Sequence, residues 1–200
     1  FALTEPGAGS NPADMSTRAT REGNGFRITG TKHFISNAGE ADFIVVYAKT
    51  DPAAGARGIS AFVVDPKAGG VRTSSPERTM GLKGGHVFEV ALDCYVPEEN
   101  RLGAEGSGFR TAMKVLDGGR VEIAACSVGL VEAALTAATE WAKQRKVGGA
   151  PIAEFQGLQW MLADMQVALT ASRLMLYQAA RSKGPNGSAF PDPELGAQGK

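Results

Sequence analysis

The chain has 200 residues, enough for one large domain or two small ones. Its 21 basic and 21 acidic residues cancel, which argues against nucleic acid as the main partner and against a polybasic membrane anchor. Hydrophobic residues make up 43% and charged residues 21%, so the composition excludes disorder, and two cysteines exclude a disulfide framework.

No run approaches the roughly 20 apolar residues of a membrane-spanning helix. The chain opens at Phe1 with neither Met nor a secretory pattern. It ends at Lys200, just after Pro193-Glu194-Leu195, which could open another element. The reading expects a piece of a longer protein.

In chain order, residues 1–100 carry short β-type runs. Gly25-Phe26-Arg27-Ile28-Thr29-Gly30 alternates apolar and polar residues. Phe43–Ala48 is a continuous apolar run, too short and too β-branched for a helix. Ile59–Val64 and Val87–Leu92 follow, with turn signals between them at Asp51-Pro52, Asp65-Pro66, Gly69-Gly70 and Gly84-Gly85. This spacing predicts a barrel or sandwich. Residues 101–200 read as helix. Phe109–Leu116 is amphipathic, and a long helix runs from Gly119 to about Lys146, with Val121, Ala124, Ala125, Val128 and Leu135 at helical spacing. Gly148-Gly149-Ala150-Pro151 stops it. A second helix runs from about Ala153 to Lys183, with Leu158, Met161, Leu162, Met165, Leu169 and Leu176 on one stripe, and Gly184-Pro185-Asn186-Gly187 ends it. The short connection predicts an antiparallel pair. Both helices carry more apolar surface than one pair can hide, so further helices or another subunit are expected to cover the rest. The expected class is α+β: a β-barrel domain at 1–100, then an incomplete helical bundle at 101–200.

Few segments suggest chemistry by themselves. In Leu3-Thr4-Glu5-Pro6-Gly7-Ala8-Gly9-Ser10-Asn11, Pro fixes a turn and glycines permit positive φ, so the loop reads either as a tight surface turn or as an anion cradle with Thr4 and Ser10 hydroxyls. In Thr31–Gly39, an extended backbone puts Phe34 and Ser36 on one face, where they could meet a planar heterocycle; alternatively Phe34 is core and Ser36 starts a turn. His33 reads as exposed or locally hydrogen-bonded. No His or Cys partner has metal-ligand spacing, and no metal is expected. Asp117 and Arg120, where two helices are expected to meet, are three apart and can pair. Gln144-Arg145-Lys146 ends a helix, where basic residues oppose the dipole. Cys94 and Cys126 read as core thiols, Trp141 and Trp160 as packing residues, Glu122 and Asp164 as solvated or paired.

Taken together and in order, Thr4–Ser10, Lys32-x-Phe34-Ile35-Ser36-Asn37-Ala38, Val96-Pro97-x-x-Asn100, Gly106-x-Gly108-Phe109, Leu116-Asp117-x-Gly119-Arg120, Gln144-Arg145-Lys146 and Phe155-Gln156-x-Leu158-Gln159-x-Met161-Leu162-Ala163-Asp164-Met165 resemble the acyl-CoA dehydrogenase family. The likeness covers nearly the whole chain and is greatest to short-, medium- and branched-chain members. It implies a middle β-barrel domain and the first part of a C-terminal four-helix bundle. It also implies FAD as cofactor, an acyl-CoA substrate, an electron-transfer flavoprotein as partner, and a homo-oligomer, tetramer or dimer. Phe1, Leu3, Thr4, Gly9, Ser10, Phe34, Ile35 and Ser36 would line the flavin, with Ser36 near flavin N5. Arg145, Lys146, Val147 and Gln156 would meet the FAD of a neighbouring subunit. Ser10, Asp117 and Arg120 would contact acyl-CoA.

The implied reaction is α,β-dehydrogenation of the thioester to the 2-enoyl-CoA. The base, usually a Glu, is expected beyond Lys200. Some members place it inside the Leu-Asp-x-Glu-Arg pattern, but here that slot is Gly119, so the piece alone should be inactive. Gly148 stands where relatives usually have Phe, and Asn11 where Asp is common. The alternatives are another flavin oxidase on the same fold, or a flavin- or CoA-binding protein without the base. The implied compartment is the cytoplasm of a bacterium or the mitochondrial matrix of a eukaryote, not the secreted fraction.

Overall fold

The apolar runs of the first half pair into one sheet. In the computed structural model, which describes residues 1–182 and 192–198, the chain divides into two units, Phe1–Ala112 and Met113–Lys200. The first unit holds β1 (Arg18–Glu22), β2 (Gly25–Ser36), β3 (Ile44–Lys49), β4 (Ile59–Val64), β5 (Val71–Thr73), β6 (Val87–Pro97) and β7 (Arg101–Leu102). Their order is β5-β6-β2-β1-β3-β4-β7. All neighbours are antiparallel except β1 and β3, which meet in parallel at Arg18 and Lys49. The edge strands β5 and β7 are not hydrogen-bonded to each other, so the expected barrel is an open, mixed sheet. The α+β class stands. The physical reason is that β5 and β7 are three and two residues long, too short to close a ring.

Alternation decides which face is buried. Phe26, Ile28, Ile44, Val46, Phe62, Val64, Val90, Leu92, Cys94 and Val96 form the core, and Phe26 meets Phe62 edge-on with ring centroids 5.0 Å apart. Three strands of the sheet, β1, β5 and the two-residue β7, were invisible as runs. In β1 only Ala19 turns inward among polar neighbours, and β5 has no buried residue. Gly30 in β2 has φ +151°, and a Cβ there would lie 2.4 Å from the buried Thr17 Oγ1, so only glycine lets the segment before β1 approach β2 this closely.

The second unit is helical. One helix, α1 (Gly108–Gln144), replaces the two expected on either side of Gly118-Gly119. Gly118 and Gly119 together cost it roughly 2 kcal/mol, which the strong helix formers on both sides offset. α1 leads into a hairpin of β8 (Lys146–Val147) and β9 (Ala150–Pro151), then α2 (Gln156–Arg181) and α3 (Pro193–Gln198). Glu132 of α1 and Arg173 of α2 pair at 2.7 Å, as an antiparallel return through the hairpin requires. The expected stop at Gly184–Gly187 lies outside the described residues.

Several expected packing residues are not covered. Ala124, Leu135 and Ala142 are buried on α1, and Leu169, Leu176 and Ala179 on α2. Of the residues expected to pack, Trp141, Trp160 and Met161 are each more than half exposed, and Cys126 is exposed rather than core; Leu130 and Val167 are more than half exposed too. A helix face turned outward gives its apolar residues nothing to pack on within the chain. α1 is also long and apolar enough to cross a membrane, by length and composition only, contrary to the expectation from the runs.

Candidate functional site

The loop before β1 and the far end of β2 make one structure. Ala2 joins β3 as a bridge to Val46, with its N–H donating to Val45 O at 2.7 Å. Phe1 then lies edge-on to Tyr47, ring centroids 5.1 Å apart. Glu5 and Ala8 exchange backbone hydrogen bonds at 3.1 Å, closing a turn around Pro6-Gly7. Thr4 O accepts the His33 N–H at 2.9 Å.

That last bond distorts β2. The register with β6 runs Lys32 to Val90, then jumps to Ile35 opposite Phe88. Phe34, inside the bulge, has φ +57°, a conformation that costs a bulky residue about 1–2 kcal/mol. Its ring is 64% exposed, so Phe34 is not core. His33 stacks on it at 4.2 Å and 7° between planes, and His33 Nε2 lies 3.2 Å from Glu77 Oε1. Phe34 and Ser36 both point outward, on either side of the buried Ile35. Leu3 is buried as well, so these two offer a ligand their backbone, not their side chains. Strain held at an exposed aromatic is a functional signal, since packing does not pay for it.

The hydroxyls of Thr4, Ser10 and Ser36 make no hydrogen bond to the described residues. An exposed ring backed by a second ring, with free neutral hydroxyls on the same loop and bulge, fits a flat heterocycle bearing carbonyl and imine acceptors. The donor set therefore fits the isoalloxazine of FAD.

Sequence reasoning missed what holds this region together. Lys32 is fully buried, and its Nζ donates to Glu5 Oε1 at 2.9 Å and to Leu3 O at 3.0 Å. Glu5, also buried, accepts from Ser16 N at 2.6 Å, Ser16 Oγ at 2.7 Å and Thr17 N at 3.0 Å. Burial alone would raise the Glu5 carboxyl, but the hydrogen bonds at Thr17 and Ser16 and the Lys32 charge hold it at about 2. Burial lowers Lys32 to about 8 against the pull of Glu5. Two signals were present. Lys32 shares the inward alternation of Phe26 and Ile28, and Glu5 is the only charged residue before Asp14.

In the helical unit Asp117 and Arg120 pair at 2.8 Å within one turn of α1, with Asp117 the more buried partner. Arg145 follows α1 directly. Its N–H donates to Trp141 O and its carbonyl accepts from Ile152 N, each at 2.8 Å. Gly148 and Gly149, at φ +62° and +89°, form the two-residue turn of the β8–β9 hairpin, a place where Phe would be strained. The side chains of Arg145 and Lys146 are exposed and unpaired among the described residues, as phosphate donors need to be. Val147 and Gln156 are exposed beside them.

Residues 1–94 match the model of the acyl-CoA dehydrogenase middle domain, and residues 106–190 that of the acyl-CoA dehydrogenase C-terminal domain. The caffeyl-CoA reductase-Etf complex subunit CarC of Acetobacterium woodii is 48% identical over 90% of this chain and 48% of its own length. The mitochondrial short-chain specific acyl-CoA dehydrogenase of Mus musculus is 40% identical over 92% of this chain and 45% of its own. The structure of butyryl-CoA dehydrogenase from Megasphaera elsdenii superposes with a TM-score of 0.93 at 38% identity, covering all of this chain and 52% of that one. The chain thus spans about half the length of the curated relatives it matches. With both of its units matched in order, the chain belongs to the acyl-CoA dehydrogenase family.

Proposed function

We propose that the whole protein is an FAD-dependent dehydrogenase of a short-, medium- or branched-chain acyl-CoA, forming the 2-enoyl-CoA. The observation that carries this is the strained, exposed Phe34 bulge with its free hydroxyls, in a chain of this family. Bound FAD would supply the acceptor for the β-hydrogen and its electron pair. The chain's own residues bind and orient. Phe1, Phe34 and the backbones of Leu3, Gly9 and Ile35 form the wall for the ring, and Thr4, Ser10 and Ser36 supply hydrogen bonds. Arg145 and Lys146, beside Val147 and Gln156, hold the pyrophosphate of FAD in a neighbouring subunit. Ser10, Asp117 and Arg120 take the CoA portion.

The α-proton is too weakly acidic for an unassisted carboxylate. Hydrogen bonds to the thioester oxygen stabilise the charge that develops there, and a dry pocket strengthens them. The base is a carboxylate outside these 200 residues, because Gly119 fills the slot where a Glu on α1 would serve. The reading takes 1–100 as the flavin-binding domain and 101–200 as the start of the bundle. The exposed apolar faces of α1 and α2 are covered in a homo-oligomer, and an electron-transfer flavoprotein takes the electrons. The compartment is the cytoplasm in a bacterium or the mitochondrial matrix in a eukaryote, supported by relatives from both.

Two relatives, a caffeyl-CoA reductase subunit and a 3-(aryl)acrylate reductase that is 44% identical, favour a second reading in which the same chemistry runs toward the saturated product. Steady-state turnover of the full-length protein tests both. Butyryl-, isobutyryl- and octanoyl-CoA are offered with an artificial acceptor, and the matching enoyl-CoAs with a reductant. Turnover of a saturated thioester without oxygen consumption supports the first reading. Turnover of the enoyl substrates alone supports the second, and rapid oxygen consumption would make the protein an oxidase.

A further inference from the structure

A buried ion pair sits where the proposed flavin site meets the sheet, and nothing in the proposed chemistry uses it. The Lys32 and Glu5 side chains are 0% and 3% exposed and 2.9 Å apart. Through them three segments are tied together. Lys32 lies in β2 and also holds the carbonyl of Leu3, while Glu5 holds the backbone N–H groups of Ser16 and Thr17. Two of these segments lead directly to candidate flavin contacts, and the third, Ser16–Thr17, leads into β1. Leu3 precedes Thr4. The Glu5–Ala8 turn precedes Gly9 and Ser10. Lys32 is the last residue in register before the bulge that carries Phe34, and the next N–H, that of His33, turns to Thr4 O instead of to β6.

Burying such a pair is a poor way to gain stability, because apolar residues of the same volume commonly do as well or better. What it does supply is a fixed geometry, since each charged group satisfies several directional partners at once. A core side chain would fill the space without holding Leu3 O or the Ser16 and Thr17 N–H groups.

We infer that Lys32 and Glu5 are positioning residues for the flavin: their ion pair clamps the Thr4–Ser10 loop to the β2 bulge and sets the spacing of the hydroxyls and the Phe34 ring. This rests on the reading of the site as an FAD site. The pair touches neither cofactor nor substrate in this role. Its loss shows in cofactor affinity out of proportion to stability.

The test uses full-length protein, with FAD removed and added back, and reads two quantities: the thermal midpoint of the apoprotein and the dissociation constant for FAD. The variants are Glu5→Gln and Lys32→Met/Glu5→Gln, the double variant leaving no unpaired charge. The control is Ile28→Ala, a core truncation in the same strand whose register partners are Ala19 of β1 and Cys94 of β6 and which makes none of the clamp's hydrogen bonds. The double variant is expected to fold and to bind FAD at least about tenfold more weakly than wild type. Ile28→Ala, at an equal or greater loss of midpoint, is expected to stay within about twofold of wild type. Equal FAD affinity in the double variant and Ile28→Ala would overturn the inference, because the pair would then be ordinary structure. Failure of both pair variants to fold would overturn it as well. A wild-type protein that takes up no FAD would instead bring down the site reading beneath it.

Discussion

Glu5 titrates in a setting that pulls it two ways, and the balance predicts an acid limb. Its folded value of about 2 lies below the ordinary 4.5, so the group adds stability that is fully present above pH 4.5 and is lost as pH falls through about 2. Glu5→Gln removes that contribution. The gap between the wild-type and Glu5→Gln thermal midpoints is expected to be widest above about pH 5 and to close toward pH 2, as circular dichroism melts across that range would show. A gap that does not change with pH would mean that Glu5 is not ionised in the folded chain. Phe34 gives a prediction of another kind. At φ +57° and 64% exposure it costs the fold strain and adds little packing. Phe34→Gly relieves roughly 1 kcal/mol of strain and loses a similar amount to the freer unfolded chain. The midpoint is expected to move little while FAD affinity falls. A large drop in midpoint would show that Phe34 is structural. Glu5 stood out in the sequence only as the one charged residue before Asp14, which says nothing of its burial or partners, and the positive φ at Phe34 accompanies the turn of the His33 N–H to Thr4, 29 positions away, which no local pattern signals.

At the scale of elements, legibility followed how local the cause is. β3, β4 and β6 announce themselves as β-branched runs because burial on the sheet selects them residue by residue. β1, with Arg18, Thr20, Arg21 and Glu22 facing outward, carries no such signal and exists because β2 and β3 flank it. The open sheet was misread as a barrel because run spacing counts strands and says nothing of how long the edge strands are. α1 was misread as two helices because Gly118-Gly119 looks like a stop, yet the helix runs on through both. A Cβ at Gly119 would meet nothing within 4 Å. Gly119→Ala is therefore expected to stabilise α1 by about 1 kcal/mol, which a thermal melt reads as an upward shift of a few degrees. A lowered midpoint would mean that position 119 is covered in the full protein, as a substrate-side position would be.

For the whole molecule, the family was legible before any geometry, because short motifs at fixed order survive when single residues do not decide. The site was legible in part. Thr4 is tied to the Phe34 bulge by the hydrogen bond from His33 N–H to its carbonyl, Asp117 pairs with Arg120, and Arg145 and Lys146 are unpaired among the described residues. What motifs could not convey is the buried clamp and the extent of bare apolar helix, since both depend on what packs against what. Leu130, Val167 and Leu174 would each gain about 1.5–3 kcal/mol if fully buried, so the faces that carry them favour association. The central claim is that the loop, the bulge and the free cations serve a flavin that oxidises an acyl thioester. The most direct test is an anaerobic titration of the full-length protein with butyryl-, isobutyryl- and octanoyl-CoA, followed by visible absorbance. Loss of the oxidised-flavin band with one of the three, near one equivalent, is the predicted result. A protein that purifies without flavin, or whose flavin band none of the three diminishes, would contradict the account.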